Sequence, residues 1–195
     1  MALTIQRLRG PEVVPWLDTL ADLRIRVFRD WPYLYDGSPD YERQYLEDYA
    51  SSANSVIVLA LQDTEVVGCS SGLPLIDADL DFQQPFVTAG FNLSEIFYFG
   101  ESVLDAAWRG QGLGHRFFDE REAHAKNLGF SQTCFCAVMR AEDHPLRPAE
   151  YRPLDEFWRK REYLPRPDLQ AFFSWKDIDQ NHETRKTMQF WLKEA

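Results

Sequence analysis

The chain has 195 residues, of which 45% are hydrophobic and 14% aromatic, and its formal net charge is −10. This apolar content is enough for one domain with a buried core, spanning residues 1–195, and excludes global disorder. The acidic balance argues against a nucleic-acid partner, because phosphate neutralisation supplies most of that affinity. No stretch reaches the apolar length of a membrane helix, and the N-terminus lacks the pattern of a signal peptide. We therefore expect no membrane partner.

The three cysteines are Cys69, Cys134 and Cys136. An odd number with a C-x-C spacing fits neither a disulfide framework nor a zinc site. Free cysteine is among the most buried residue types, so packing is favoured over nucleophilic use. We expect reduced thiols, no metal and a cytoplasmic location.

The first half of the chain predicts a strand, two helices and a hairpin. Alternating apolar and polar residues predict a strand at Leu3–Leu8. Apolar residues at helical spacing predict a helix that starts near Pro11 and ends at Trp31-Pro32. The elements predicted next are a loop at residues 33–39, a helix at 40–50, and hairpin strands at 54–61 and 65–75.

The second half alternates between strands and helices. Residues 76–92 are acidic and broken by Pro85, which predicts a loop with a short helix. The remaining predictions are strands at residues 94–105, 131–139, 168–176 and 187–193, helices at 112–128 and 154–161, and a loop at 143–153. This order predicts an α/β (α+β) fold with a mixed, largely antiparallel sheet.

A glycine-rich turn joins the strand at 94–105 to the next helix, with the sequence Arg109-Gly110-Gln111-Gly112-Leu113-Gly114. Glycine permits positive φ angles and close approach of a ligand to the backbone. The unpaired amides and the dipole of the first helical turn favour an anion, so the segment is a candidate phosphate cradle. No Lys-Ser/Thr follows the glycines, as in a Walker A loop, and the spacing departs from the dinucleotide-binding fingerprint.

This strand, turn and helix resemble the acetyl-CoA-binding motif of the GNAT superfamily of N-acetyltransferases, and the order of elements over nearly the whole chain is similar. The resemblance implies a sheet with helices on both faces. It also implies that the amides of Gly110, Gln111, Gly112, Leu113 and Gly114 bind the pyrophosphate of coenzyme A, with Arg109 shaping the loop near the phosphates.

The resemblance further implies that the strand before the turn bulges and separates from the strand at 131–139. The pantetheine arm would then pair with its backbone at about Leu104 and Ala106. The amide near Ser102 would face the thioester carbonyl. These contacts make Ser102, Val103, Leu104 and Ala106 candidate cofactor-binding residues.

Direct acetyl transfer to an amine needs a base that deprotonates the amine and an acid that protonates the leaving thiolate. The resemblance offers Glu101 and Tyr98 as bases, and Glu101 is preferred because a carboxylate also holds a cationic amine. The tyrosine that usually serves as the acid is replaced by Trp158, whose indole cannot donate a proton usefully. Tyr151 is a candidate substitute, and solvent is the alternative.

The acceptor site is expected near the loop between the first two helices. Tyr33 and Tyr35 could surround a cationic amine, or simply pack the helices together. His144 could bind the acceptor or cap a turn. The acidic residues Asp77, Asp79 and Asp81 could attract a polyamine-like substrate, although a solvated loop is the simpler interpretation.

The resulting hypothesis is an acetyl-CoA-dependent N-acetyltransferase that acts on a primary amine of a small cationic molecule. A protein or peptide amine stays open as the acceptor. A non-catalytic acyl-CoA-binding module and a nucleotide-binding protein that uses the same turn are the alternatives of other classes. The apolar final strand, with Phe190 and Trp191, suggests a homodimer.

Overall fold

A seven-stranded sheet forms the centre of the computed structural model, which describes residues 3–194. The strands are β1 (Leu3–Leu8), β2 (Val56–Gln62), β3 (Glu65–Pro74), β4 (Ile96–Leu104), β5 (Gln132–Val138), β6 (Leu164–Trp175) and β7 (Thr184–Glu194). Their order is β1-β2-β3-β4-β5-β7-β6. The pair β4–β5 is parallel and the other neighbours are antiparallel, which confirms the predicted mixed sheet.

Helices cover both faces of the sheet, as predicted. They are α1 (Leu17–Phe28), α2 (Pro39–Ser51), α3 (Leu80–Thr88), α4 (Leu113–Asn127) and α5 (Asp155–Lys160). One core lies beneath α1, α2 and α3 and includes Leu20, Leu46 and Phe86. The second core lies beneath α4 and α5 and includes Phe117 and Phe118. The sheet is therefore buried on both sides, and its central strands β2 to β5 are buried along most of their length.

Proline explains the differences between the predicted and observed elements. The helix expected from Pro11 is a 3₁₀ helix over Gly10–Trp16, and α1 begins only at Leu17. Pro11 and Pro15 lack the amide donors of an α-helical ladder. At the other end, β6 begins at Leu164, before Pro165, although the strand was predicted from residue 168. Since β6 is an edge strand, the missing proline donors are tolerated there.

The segment at residues 76–92 contains the predicted short helix. It is α3, whose N-cap Asp79 accepts a hydrogen bond from the amide of Asp81 at 2.8 Å. This cap fixes the point where the loop after β3 becomes helical, and it holds the Asp79 side chain at the N-terminal end of α3.

The residues suggested for a dimer interface are buried within the monomer, so that reasoning was wrong. Phe190 is 0% exposed in the first core and Trp191 is 3% exposed in the second. Adjacent residues of β7 point to opposite faces, and both faces are covered by helices. The three cysteines are also buried and unpaired, which confirms the prediction of packed, reduced thiols. In the part of the chain described, no helix is long and apolar enough to cross a membrane.

Candidate active site

The glycine-rich turn has the conformation that its sequence predicts. Gly110 and Gly112 have φ angles of +75° and +83°, and α4 begins immediately after Gly112. The amide of Arg116 donates to the Gly112 carbonyl at 3.2 Å, so the amides of residues 113–115 precede the first bond of the helix. A Cβ atom at Gly110 or Gly112 would meet nothing within 4 Å. The turn is therefore an open cradle of amide groups at a helix N-terminus, which suits a phosphate.

Arg109 shapes this turn. Its Nε donates to the carbonyl of Leu104 at 3.1 Å, and one terminal nitrogen donates to Asp30 at 3.2 Å. Gln111 Nε2 donates to the carbonyl of Ala107 at 3.0 Å and adds a second tie across the same turn. The Leu104 carbonyl is therefore already bonded, whereas the sequence interpretation expected a ligand to pair near it.

Strand β4 bulges and separates from its parallel neighbour. Pairing with β5 covers only the three positions from Ile96 to Tyr98. On the other side, the register with β3 shifts between Ser70 and Gly72. Gly100 and Glu101 lie in this irregular stretch, beyond the last parallel pair. The predicted bulge and separation are confirmed, and they leave a gap in the sheet beside β4.

Arg121 of α4 supports the bulge from one face of the sheet. Its guanidinium donates to the carbonyls of Ser71 at 3.1 Å and Glu101 at 3.0 Å, and to Ser102 Oγ at 2.8 Å. Burial lowers the pKa of Arg121 to about 10, so the side chain is still a cation at neutral pH. Sequence reasoning missed this residue, although an arginine four positions after Phe117, within the apolar stripe of α4, was an available signal.

The other face of the bulge is packed against tyrosine hydroxyl groups. A Cβ atom at Gly100 would lie 1.9 Å from Tyr49 Oη, 2.6 Å from Ser71 Oγ and 2.9 Å from Tyr45 Oη. The two tyrosine hydroxyls are themselves 2.9 Å apart. Only glycine fits between the strand and this pair, so α2 approaches β4 closely here.

Glu101 extends from the bulge into a buried charge cluster. Its Oε2 lies 2.6 Å from a terminal nitrogen of Arg24 and accepts a hydrogen bond from Tyr45 at 3.2 Å. Its Oε1 is buried and has no hydrogen-bond partner among the described residues. Arg24 also pairs with the buried Glu42 through Nε. Burial disfavours the charged guanidinium, but the carboxylates of Glu101 and Glu42 outweigh it and hold the pKa of Arg24 well above its usual value.

Because a single guanidinium faces two carboxylates, the Arg24–Glu42–Glu101 cluster carries one negative charge in excess when both carboxylates are ionised. It forms part of the wall of a cavity of about 620 Å³ between α1, α2 and the ends of β4 to β7. Six acidic and two basic side chains line this cavity: Asp36, Glu42, Asp48, Asp79, Glu101, Glu183, Arg24 and Lys176. Aromatic rings supply much of the rest of the wall. The cavity is therefore an acidic, aromatic pocket of a size for a small molecule.

The comparisons with known proteins agree with this geometry. The family model described as the acetyltransferase (GNAT) family matches residues 20–149, which is two thirds of the chain. This chain belongs to the GNAT acetyltransferase family. Family membership makes it an acetyltransferase whose acyl donor is acetyl-CoA. A search of curated protein sequences finds no match.

Solved structures share the GNAT fold at low sequence identity. The chain is similar to a ribosomal-protein-alanine N-acetyltransferase from Brucella melitensis, with 12% identity, a TM-score of 0.61, and coverage of 99% of this chain and 100% of the other. It is also similar to a PaiA N-acetyltransferase from Thermoplasma acidophilum in complex with coenzyme A, with 11% identity, a TM-score of 0.55 and full coverage of both chains. A GNAT acetyltransferase from Elizabethkingia anophelis with acetyl-CoA bound matches at 15% identity, a TM-score of 0.54, and coverage of 99% and 98%.

The two candidate bases of this GNAT domain lie in different surroundings. Glu101 offers a free carboxylate oxygen, as described above. Tyr98 is 2% exposed, and its hydroxyl lies 3.5 Å from Cys136 Sγ. Burial, and then the neighbouring Cys136, raise the pKa of Tyr98 well above its usual value. Tyr98 therefore keeps its proton, and its surroundings do not suit a base.

The candidate acceptor residues divide into two groups. Tyr33 and Tyr35 line the cavity, and the Tyr33 ring also packs 4.5 Å from Phe28, so it contributes to both the pocket and the helix packing. His144 and Tyr151 instead pack on Trp31, with ring centroids 5.0 and 5.9 Å away. Neither is among the described residues that line the cavity.

Trp158, which the resemblance places where GNAT enzymes usually have the acid, is partly buried against the second core. Its ring lies 5.0 Å from both Phe135 and Trp191. The nearby Tyr163 is fully buried, and its hydroxyl bonds with Thr133 at 2.8 Å. These contacts account for an apolar residue at position 158, and neither Trp158 nor Tyr163 lines the cavity.

Proposed function

We propose that this chain transfers the acetyl group of acetyl-CoA directly to a primary amine of a small cationic molecule. The observation that carries the proposal is the acidic, aromatic cavity of about 620 Å³, which contains a buried carboxylate oxygen of Glu101 that has no hydrogen-bond partner within residues 3–194. The cavity includes Gly100 and Glu101 of β4 and Cys136 of β5 in its wall. The acceptor would thus lie at the gap where β4 and β5 separate.

The residues of the turn before α4 fit coenzyme A. Bound acetyl-CoA supplies an acetyl group that is activated as a thioester. The amides of Gly110 and of residues 111–114 would hold its pyrophosphate, since the turn is open and the 15-residue helix α4 adds a favourable dipole. Arg109 would keep the turn in shape through Leu104 and Asp30.

The exposed stretch of β4 would hold the rest of the cofactor. The candidate contacts are Ser102, Val103, Leu104 and Ala106. The amide of Glu101 already donates to Ser71 Oγ at 3.3 Å, and the Leu104 carbonyl is bonded to Arg109. The Ser102 amide is therefore the candidate donor to the thioester oxygen, where a fixed N–H group would stabilise developing negative charge.

Glu101 would hold and deprotonate the acceptor. Its Oε2 is fixed by Arg24 and Tyr45, which leaves Oε1 to accept a proton from the ammonium group. The excess negative charge of the Arg24–Glu42–Glu101 cluster favours the binding of a cation at this point. The thiolate would take its proton from solvent, because Tyr151 lies against Trp31 and outside the cavity wall.

The test is the release of coenzyme A from acetyl-CoA in the presence of a panel of small amines. Wild type should turn over with at least one cationic amine. Glu101→Gln should lower kcat by roughly 100-fold or more, which is the usual contribution of a general base, and should bind acetyl-CoA normally in calorimetry. Normal binding without turnover for any amine would instead support the non-catalytic acyl-CoA-binding module.

A further inference from the structure

The acceptor cavity has an acidic group at its buried end. The Glu101 side chain is 3% exposed, the Glu42 side chain is 1% exposed, and both pair with the same Arg24 guanidinium. A buried charge without a partner is strongly unfavourable. The excess negative charge and the free Oε1 of Glu101 therefore point to one cationic group of a ligand at this end.

A second acidic group lies in the same cavity wall, at its exposed side. Asp48 comes from α2 and Asp79 from the start of α3, and both also line a small recess that adjoins the cavity. Asp48 and Asp79 therefore share one stretch of wall, and burial, followed by the negative charge of Asp79, raises the pKa of Asp48. Asp79 accepts a hydrogen bond from the Asp81 amide. Neither Asp48 nor Asp79 forms an ion pair with a described Lys, Arg or His. Within the described part of the chain, the pair therefore has no cationic side chain to balance it.

The two acidic groups are separated by a mostly apolar wall. Glu42 and Asp48 both lie on α2, and six residues of helix correspond to about 9 Å along its axis. Between them, the cavity is lined by the rings of Tyr45, Phe82 and Tyr98. A flexible hydrocarbon chain would pack on these rings, with a cation at each end.

We propose that the acceptor is an aliphatic diamine or polyamine whose reacting ammonium group lies beside Glu101 and whose second ammonium group lies between Asp48 and Asp79. This inference rests on the proposed function. The reacting ammonium group gives one proton to Glu101, and the free amine then forms a bond to the thioester carbonyl carbon. The C–S bond breaks, the nitrogen loses its second proton to solvent, and the thiolate takes up a proton from solvent. The second ammonium group keeps its charge and fixes the register of the chain in the cavity.

The test is steady-state kinetics of the full chain with α,ω-diaminoalkanes of increasing length, each compared with the n-alkylamine of the same length. At saturating acetyl-CoA, the best diamine should exceed its monoamine in kcat/KM by roughly tenfold, and the advantage should fall as salt rises. Asp48→Asn and Asp79→Asn should each raise KM for the diamine roughly fivefold without changing kcat. The increase in KM for the monoamine should be much smaller, and normal acetyl-CoA binding in calorimetry shows that the variants are folded.

Glu47→Gln is the matched control. Glu47 is the neighbour of Asp48 on α2, is exposed, and lies outside the cavity wall, so its neutralisation should leave both KM values unchanged. Equal kcat/KM for diamines and monoamines would overturn this inference while leaving the proposed function intact. An unchanged diamine KM in both aspartate variants would also overturn it. Failure to acetylate any amine despite binding acetyl-CoA would overturn the proposed function itself.

Discussion

Arg121→Met tests whether the β4 bulge is held in place by α4. The substitution keeps an unbranched apolar side chain of good helix propensity but removes the guanidinium. It leaves the buried carbonyls of Ser71 and Glu101 and the hydroxyl of Ser102 without their donor. The Ser102 hydroxyl is exposed and can bond to water, so the loss comes from the two buried carbonyls. Each is worth about 3 kcal/mol because its donor is charged, which gives a loss on the order of 6 kcal/mol.

An opposing effect reduces this loss. Burial lowers the pKa of Arg121 from its usual value to about 10, so keeping the guanidinium charged in the fold costs about 3 kcal/mol. Below the pKa of the folded state, Arg121 is charged in both the folded and the unfolded protein, so the whole cost applies there. The cost falls to zero as pH rises from about 10 to the pKa of the unfolded state. At neutral pH the methionine variant escapes the whole cost. The expected net destabilisation is therefore about 3 kcal/mol.

The assay is thermal and denaturant unfolding at neutral pH. For a domain of this size, about 3 kcal/mol corresponds to a fall in Tm of about 6–12 °C. Arg116→Met is the matched control, because Arg116 lies on the same helix but is exposed, and its change should stay within about 0.5 kcal/mol. If the two variants melt within about 2 °C of each other, the argument that Arg121 supports the bulge is refuted.

Three further predictions use single substitutions. Tyr98→Phe should retain most of the acetyltransferase activity, and loss of activity would contradict its exclusion as the base. Burial raises the pKa of Tyr98, so the buried neutral hydroxyl contributes fully to stability below about pH 10, and this contribution is lost as pH rises further. The unfolding free energy of Tyr98→Phe should therefore fall less steeply with alkaline pH than that of wild type. Equal slopes of unfolding free energy against pH would contradict this reasoning. Gly112→Ala should weaken acetyl-CoA binding in calorimetry roughly fivefold. Gly90→Ala is its control: Gly90 has a similar φ of +81° and equally open space, so this variant should lose about as much unfolding free energy but no affinity for acetyl-CoA. Equal affinities of the two variants would show that the turn is not part of the cofactor site. Gly100→Ala should lower the unfolding free energy by about 2–3 kcal/mol, because the new Cβ atom would lie 1.9 Å from Tyr49 Oη, and an unchanged denaturant midpoint would show that α2 can move aside.

The local elements and the glycine-rich turn before α4 could be predicted from the sequence. Strand alternation, helical spacing and glycines at 110 and 112 depend on neighbouring residues and on backbone angles that only some residues adopt. The resemblance to the GNAT motif, and not local patterning, pointed to a bulge in β4 and to the carboxylate of Glu101. Local reasoning failed where distant context decides, as at the edge strand β6, which tolerates Pro165 because none of the described strands pairs with its outer side.

Which charges meet was decided only by the tertiary structure. Arg24 and Glu42 lie on different helices, and neither has a local pattern that marks it as a partner of Glu101. Their meeting depends on α1 and α2 packing on one face of β4, while Arg121 reaches the same bulge from the other face. The surroundings of the two candidate bases also differ. Tyr98 is packed against Cys136 and apolar rings, whereas one carboxylate oxygen of Glu101 has no hydrogen-bond partner among the described residues. The sequence determined what kinds of groups are present, and packing over long sequence separations determined which of them share a desolvated cavity.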